Sequence, residues 1–515
     1  MRTNNSIRNI LFGLVGQMIA IVLTFVGQRF FISILGTVYL GLNGLFTNVL
    51  SLLSLAELGI GTAIIYSLYK PLSNGDKIKI SSLVNFYAKA FKIIAVITFI
   101  MGLILMPFLK YFAKGAQSID NLYVYYFLFL LNNALTYLFS YKKSLIIADQ
   151  KSYIVTIIRY SFFIPLSILQ IVILYLTKNY LLYLMLLLVF NVIENIIISI
   201  WADKLYPFIT EYKKVRLNNE DKNILYRNIK ALINHRLGAV IVNGTDNIII
   251  SFFMGVYYVG LYSNYLIIIN ALNMIINQIF SSITASVGNL NSEDSKEKSY
   301  QIYKAILFAN FWLFGFCSIS LIALLNPFIS IWVGSKYMLD FSIVAIISIN
   351  FYVNGIRRTT LVFRDSLGLF WHDRYKPIIE ALINIVLSIL LVKYLGVFGV
   401  LLGTFVSTII TSSWVEPYVL FKHGFKKKMK EYLYNAFYYT LVISVIGGIT
   451  LILTQYISTM VQSNYLSLFV LMGTLAIVPN LLIYIYFYKT DEMKYIRTII
   501  EISISRFRVI ISKIR

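Results

Sequence analysis

Fourteen apolar stretches, each about 17 to 29 residues long, run through the 515-residue chain. A helix needs about 20 apolar residues to cross the roughly 30 Å hydrocarbon core of a bilayer, so each stretch can span a membrane. The sequence therefore predicts an all-α polytopic membrane protein with fourteen transmembrane helices. The predicted spans cover residues 10–34, 42–68, 93–109, 122–141, 153–176, 180–202, 237–256, 258–286, 302–325, 338–356, 378–395, 397–421, 435–456 and 464–488.

The charges between the spans predict the direction in which the chain crosses the membrane. Nearly all of the 45 Lys and Arg residues fall in every second gap, counted from the N-terminal segment. The alternate gaps hold only Lys110, Lys114, Lys178, Lys336 and Lys393. Because short cytoplasmic loops carry the excess of Lys and Arg, both termini are predicted to lie in the cytoplasm. The expected location is a membrane that the chain crosses many times.

Composition argues against several other classes of protein. A net charge of +23 can indicate nucleic-acid binding, but the basic residues are scattered over many short loops instead of one surface. A topology signal with contact to anionic lipid head groups is the preferred interpretation, and no nucleic-acid partner is expected. The single Cys317 permits no intrachain disulfide, and His235, His372 and His423 lack neighbours at metal-ligand spacing. No metal site and no cofactor are expected.

The longest predicted loop separates the first six spans from the remaining eight. The predicted organisation is an N-terminal lobe at 1–203, a cytoplasmic linker at 204–236 and a C-terminal lobe at 237–421. Spans thirteen and fourteen follow at 435–488, and residues 489–515 are predicted to form a cytoplasmic amphipathic tail. The predicted outer loops are too short to hold a catalytic or binding domain.

A short internal repeat supports two lobes. The pattern G-x-x-Y-[LV]-G-L occurs at residues 36–42, between spans one and two, and again at 255–261, between spans seven and eight. An even number of spans separates the two copies, so they keep the same orientation. A parallel repeat of six spans, related by an axis along the membrane normal, is therefore predicted.

Ionisable residues inside the spans are the first candidates for function, because each is costly to insert into lipid and usually faces a cavity or a partner. Glu57 and Asp246 lie near mid-membrane. Four other charged residues lie closer to the cytoplasmic ends of their spans: Arg159, Glu194, Glu380 and Glu416. For these four, a side chain that extends to the lipid head groups explains the charge equally well. Arg29 lies in the outer half of its span.

Polar stripes on several spans predict a shared polar cavity. One stripe joins Asn243, Asp246 and Asn247, another runs through Asn273 and Asn277, and a third leads from Asn350 and Asn354 to Arg357 and Arg358. Interhelical hydrogen bonding is the alternative explanation of any single stripe. Pro165 and Pro479 are expected to kink their helices. No phosphate-binding glycine loop, catalytic triad or metal cluster is present, so movement of a solute is favoured over catalysis.

Five segments carry a family resemblance. They are N-S-I-R-N-I at residues 5–10, L-G-x-x-Y-L-G-L-N-G-L-F at 35–46, L-A-E-L-G-I-G at 55–61, G-T-D-N-I-I-I-S at 244–251 and V-G-x-Y-S-N-Y at 259–265. Together they resemble the bacterial polysaccharide-unit flippases of the Wzx type. The resemblance implies a MATE-like fold within the larger superfamily of multidrug, oligosaccharidyl-lipid and polysaccharide exporters.

The resemblance also implies a substrate and roles for residues. The substrate would be an undecaprenyl-diphosphate-linked oligosaccharide, moved from the cytoplasmic to the outer leaflet by alternating access for capsule, exopolysaccharide or O-antigen assembly. A polysaccharide polymerase and a chain-length regulator are expected partners. Glu57 and Asp246 would couple or gate transport, carrying H⁺ or Na⁺, or would pair with arginines to hold helices together. Guanidinium groups bind phosphate bidentately, so the diphosphate candidates are Arg29, Arg159, Arg236, Arg357 and Arg358.

Two other functions stay open from the sequence. A cation-coupled multidrug exporter of the same superfamily would use intramembrane carboxylates to meet cationic substrates. A membrane polysaccharide polymerase or glycosyltransferase would carry catalytic residues on a large outer loop, which this sequence lacks. Charge counting alone does not choose an anionic substrate.

Overall fold

A computed structural model describes residues 2–57, 60–116, 119–213, 215–290, 296–461, 463–498 and 501 of the chain. These residues are helical except for the turns between helices, which confirms the predicted all-α class. The α-helices are α1 (Arg2–Leu35), α2 (Thr37–Leu53), α3 (Ile60–Asn74), α4 (Lys77–Leu105), α5 (Leu109–Phe112), α6 (Leu122–Ala148), α7 (Ser152–Thr177), α8 (Tyr180–Leu205), α9 (Phe208–Glu211), α10 (Asn219–Met254), α11 (Val256–Leu290), α12 (Lys296–Trp332), α13 (Phe341–Ser366), α14 (Lys376–Ile410), α15 (Ser412–Val419), α16 (Lys430–Met460) and α17 (Asn464–Phe487).

Each of the fourteen predicted spans falls on a helical segment of this series. By length and composition, ten helical stretches of the described residues can cross a membrane, and α2 and the end of α10 are shorter apolar helices. The protein is therefore a multi-pass membrane protein, as predicted.

The second predicted span is broken, where the sequence predicted one continuous helix over 42–68. Helix α2 ends at Leu53, a 3-10 turn covers Ser54–Glu57, and α3 begins at Ile60. Gly61 lies in the first turn of α3, and glycine is a poor helix former because it loses the most backbone freedom on folding. Side-chain hydrophobicity alone does not reveal such a break.

The predicted boundary between spans eleven and twelve is a chain reversal at Gly396. This residue has φ 57° and ψ −137°, a backbone conformation that side chains rarely adopt. On either side of it the chain packs antiparallel. Asn384 Nδ2 donates to Thr404 Oγ1 at 2.8 Å, and Ser388 Oγ donates to the Val400 carbonyl at 3.2 Å.

The chain forms two compact units, residues 1–263 and 264–515. In the first unit α1 packs on α7, and α6 packs on both α4 and α8. In the second, α12 packs on α13 and α17, while α13 packs on α14. Helix α10 begins at Asn219, inside the predicted linker, because Asn218 caps it by accepting a hydrogen bond from the Asp221 backbone N–H at 2.8 Å. Most of the predicted tail, 489–515, lies outside the described residues.

Candidate functional site

Two neighbouring arginines on α13 are the centre of the candidate site in the second unit. Arg357 and Arg358 follow each other in sequence and therefore point about 100° apart around the helix. Each side chain meets a different neighbouring element. The chemical consequence is that one guanidinium is neutralised and the other is not.

Arg357 belongs to a buried network of four charges. Its guanidinium binds Glu416 of α15 in a fork, with Nη2 2.6 Å from Oε1 and Nε 3.0 Å from Oε2. The Lys376 ammonium at the start of α14 donates to the same carboxylate at 2.5 Å. Glu416 is fully buried, and the second carboxylate, Glu380, lies 3.8 Å from both cations. The two positive and two negative charges balance.

Hydroxyl groups complete this network. Ser412 Oγ donates to Glu380 Oε2 at 2.5 Å, and Thr408 Oγ1 donates to Glu380 Oε1 at 3.1 Å. Buried charges are tolerated when they are paired and hydrogen-bonded, and here they join α13, α14 and α15. Arg357, Glu380 and Glu416 therefore tie helices together.

Arg358 has a different environment. Its guanidinium donates to Asn273 Oδ1 of α11 at 2.8 Å and to Asn277 Oδ1. It also lies against two rings, with Cζ 5.4 Å from the centroid of Phe314 and 5.9 Å from that of Phe280. Among the described residues no carboxylate lies within ion-pair distance of it. The predicted polar stripe of α11 thus holds a positive charge with neutral amides.

A second cluster lies in the first unit, among α6, α7 and α8. A cavity of about 210 Å³ is lined by Arg159, Lys143, Glu194 and the amides Asn191 and Asn195. The charges of Lys143, Arg159 and Glu194 interact with one another. Two cations face one carboxylate, so the cavity has an excess of positive charge. Asn191 Nδ2 donates to Asn132 Oδ1 at 3.0 Å and fixes α8 against α6 beside it.

The two acids predicted to lie near mid-membrane both have neighbours. Glu57 ends the 3-10 turn that breaks the second span, next to Gly61, where an added Cβ would lie 2.8 Å from its Oε1. Its charge acts on Tyr137. Asp246 is partly buried on α10 and its charge acts on Tyr262. Both carboxylates therefore have interaction partners within the first unit.

The remaining predicted residues are dispersed. Arg29 lies on an exposed face of α1. Asn247 is buried, and its amide oxygen has no hydrogen-bond partner among the described residues. Arg236 and Asn243 belong to α10, but their side chains lie outside the described residues.

Sequence reasoning missed several charged residues that the fold brings to these clusters. Lys143 and Lys376 lie at the ends of spans, where a lysine is ordinarily part of the topology signal. Lys376 stands four residues before Glu380, a spacing that places both on one helix face and could have been noticed. A further cluster, Arg364 with Asp365 at 2.7 Å and with Asp373, lies beyond the predicted end of span ten.

Solved structures share this fold. The lipid II flippase MurJ in an inward closed conformation aligns with a TM-score of 0.63 at 16% sequence identity, over 93% of this chain and 99% of that one. An inward-facing multidrug resistance MATE family transporter of the MOP superfamily gives 0.60 at 15% identity, over 78% and 96%. A MOP superfamily transporter from Pyrococcus furiosus gives 0.52 at 14% identity, over 83% and 97%.

The chain therefore shares the fold of these solved membrane transporters, and the predicted MATE-like fold is confirmed. The sequence matches no protein-family model, and no curated protein matches it. At these identities the likeness shows the fold alone.

Proposed function

We propose that this protein is a flippase that moves undecaprenyl-diphosphate-linked oligosaccharides from the cytoplasmic to the outer leaflet by alternating access. The transporter fold, shared with a lipid II flippase, and the sequence resemblance to Wzx-type flippases support this proposal. It places the chain in a bacterial cell membrane, with a role in capsule, exopolysaccharide or O-antigen assembly. A polymerase and a chain-length regulator are the proposed partners.

The observation that carries the proposal is Arg358. A guanidinium held by the amide oxygens of Asn273 and Asn277, beside two aromatic rings, keeps its full positive charge. Arg358 is half-buried, so its attraction for an anion is screened less than it would be in bulk water. A diphosphate offers the paired oxygens that the guanidinium fork binds best. A cationic drug would be repelled at the same point.

Other residues take secondary parts in this proposal. The cavity at Arg159 and Lys143 is a second place where phosphate oxygens would gain attraction, and Arg29 and Arg236 stay candidates for the path. Asn243 and Asn247 would line that path. Glu57 and Asp246 would couple transport to H⁺ or Na⁺. Arg357 is assigned to helix packing instead.

The test uses a deletion strain that lacks any redundant flippase, complemented with variants of this chain. The measured quantity is the amount of lipid-linked oligosaccharide that reaches the outer leaflet. Hydrogen bonds to charged groups contribute about 1.5–3 kcal/mol, so Arg358→Ala is expected to lower translocation by roughly 10- to 100-fold at unchanged protein level. Arg358→Lys should be intermediate, because a point charge lacks the fork.

Arg374→Ala is the matched control, since this arginine also lies on aromatic rings but in the turn between α13 and α14. It should translocate normally. Normal translocation by Arg358→Ala would refute the diphosphate role. Normal outward passage without the protein would refute the flippase altogether, and drug susceptibility of the deletion strain would then test the cation-coupled exporter.

A further inference from the structure

A pocket of about 480 Å³ in the first unit belongs to none of the clusters above. It lies where the end of α3, the start of α4 and the start of α10 meet, on the side that the charge pattern predicts to be cytoplasmic. Its volume is in the range of sites that hold small molecules, which is about 300–1,000 Å³. Its lining includes Tyr66, Tyr69, Lys70, Asp76, Lys79 and Asp221.

The charges of this pocket cancel. Lys79 Nζ donates to Asp221 Oδ1 at 3.0 Å, and the Asp76 carboxylate accepts a hydrogen bond from the Lys79 backbone N–H at 2.9 Å. Lys70 and Lys79 are thus matched by two acids, in contrast to the excess of positive charge around Arg159. A phosphate would gain little here, so a neutral ligand fits the pocket better.

Two aromatic rings in the lining remain open to solvent. Tyr66 is 71% exposed and Tyr69 49% exposed, although both lie on α3 beside buried Leu68. A tyrosine ring offers a flat apolar face at a small loss of side-chain freedom, and its hydroxyl can donate and accept hydrogen bonds. These rings can cover the C–H face of a pyranose ring.

The polar groups of the lining match sugar hydroxyls. A carboxylate only accepts hydrogen bonds and an ammonium only donates them, whereas a sugar hydroxyl does both. Asp221 and Lys79 fix an acceptor and a donor side by side, because their ion pair holds α10 against α4. Neighbouring hydroxyls of one sugar could bond to both at once.

We propose that this pocket binds the neutral sugar part of the translocated lipid and so selects the glycan. The inference rests on the proposed function, and it places glycan selection in the first unit, apart from the diphosphate contact at Arg358. A lining of balanced charges and open tyrosines recognises a sugar without recognising its phosphate.

Binding is measured by saturation-transfer NMR on the full chain in detergent. The probe is the repeat-unit oligosaccharide released by mild acid from the lipid-linked pool of the host cell and freed of phosphate. The wild type should show transfer to sugar protons that inorganic diphosphate does not displace. Tyr66→Ala should weaken binding by about tenfold, because it removes an aromatic ring that would cover the apolar face of the sugar. Tyr434→Ala, which removes a 69% exposed ring from α16, should leave binding unchanged.

Because the Tyr66 side chain is exposed, its removal should leave folding unchanged. Asp221→Asn is a second variant, which tests the proposed hydrogen bond to a sugar hydroxyl. Wild-type binding that both variants retain would overturn the inference, as would the absence of binding to the wild type. If the chain translocates lipid-linked oligosaccharide but fails this test, the inference alone is wrong. If translocation fails while the oligosaccharide binds at Tyr66, the flippase proposal and the role in glycan selection are both wrong, and only the sugar-binding pocket stands.

Discussion

At the scale of single residues, two adjacent arginines have different surroundings and therefore different roles. Arg357 has two carboxylate neighbours, whereas Arg358 has two amides and two rings. Removing one member of a buried ion network leaves the others uncompensated and lowers stability by about 3–5 kcal/mol. Glu416→Gln should therefore lower the thermal unfolding temperature of the purified protein strongly, because Arg357 and Lys376 stay buried without their shared carboxylate.

Glu431→Gln is the control for this prediction. Glu431 is about half exposed and lies 3.8 Å from Lys304, and exposed pairs contribute about 0–1 kcal/mol. Its loss should change the unfolding temperature little. Equal unfolding temperatures for Glu416→Gln and the wild type would show that the network does not stabilise the second unit.

The sequence could identify Arg357 and Arg358 as candidate residues, but it could not show that their roles differ. Both residues are arginines at the end of one predicted span, so their hydropathy is the same. Their separation depends on Glu416, 59 positions away, and on Asn273 and Asn277, more than 80 positions away. Contacts over such separations follow from helix packing, which no local pattern encodes.

At the scale of elements, the repeated pattern G-x-x-Y-[LV]-G-L has a physical basis. Its first glycines, Gly36 and Gly255, have φ 85° and 98° just before α2 and α11, a region that only glycine occupies readily. Its second glycines make reciprocal contacts. A Cβ on Gly41 would overlap the Val256 carbonyl oxygen, and one on Gly260 would overlap that of Thr37. The two helix starts cross at these glycines.

This crossing predicts that Gly41→Ala is destabilising. The added methyl group meets backbone instead of a movable side chain, and overpacking of this kind lowers stability by about 1–3 kcal/mol. The measurement is thermal unfolding in detergent, compared with Gly448→Ala on α16, where nothing lies within 4 Å of the added Cβ. The control should be neutral or slightly stabilised. Unchanged stability in Gly41→Ala would show that the helices separate at little cost.

Hydrophobic length predicted where helices lie, and turn chemistry decided where they break. The positions of the ten helical stretches of the described residues that can cross a membrane follow from apolar runs, because lipid and a helical core both demand them. The break at Ser54–Glu57 does not change the apolar pattern much, so hydropathy did not predict it. The reversal at Gly396 was placed only because two apolar runs adjoin there.

At the scale of the whole molecule, the alternating charge predicts one orientation for both units. Lys77 and Lys428 lie in gaps rich in Lys and Arg, whereas Lys110 and Lys336 lie in poor ones, and all four side chains are exposed. Since positively charged short loops stay in the cytoplasm, the first two should face inward and the other two outward. The Cys317 thiol is the only one in the chain and is buried, so its replacement by serine gives a clean background.

Single cysteines at these four positions allow the orientation to be measured by labelling with a maleimide that does not cross the inner membrane. If the cells have an outer membrane, it must let the maleimide through. Lys110→Cys and Lys336→Cys should react in intact cells, and Lys77→Cys and Lys428→Cys only after the inner membrane is opened. Using one pair from each unit tests the units separately. If Lys77→Cys and Lys428→Cys react in intact cells instead, the chain has the opposite orientation in the membrane. If the result differs between the two units, the predicted number of spans between them is wrong.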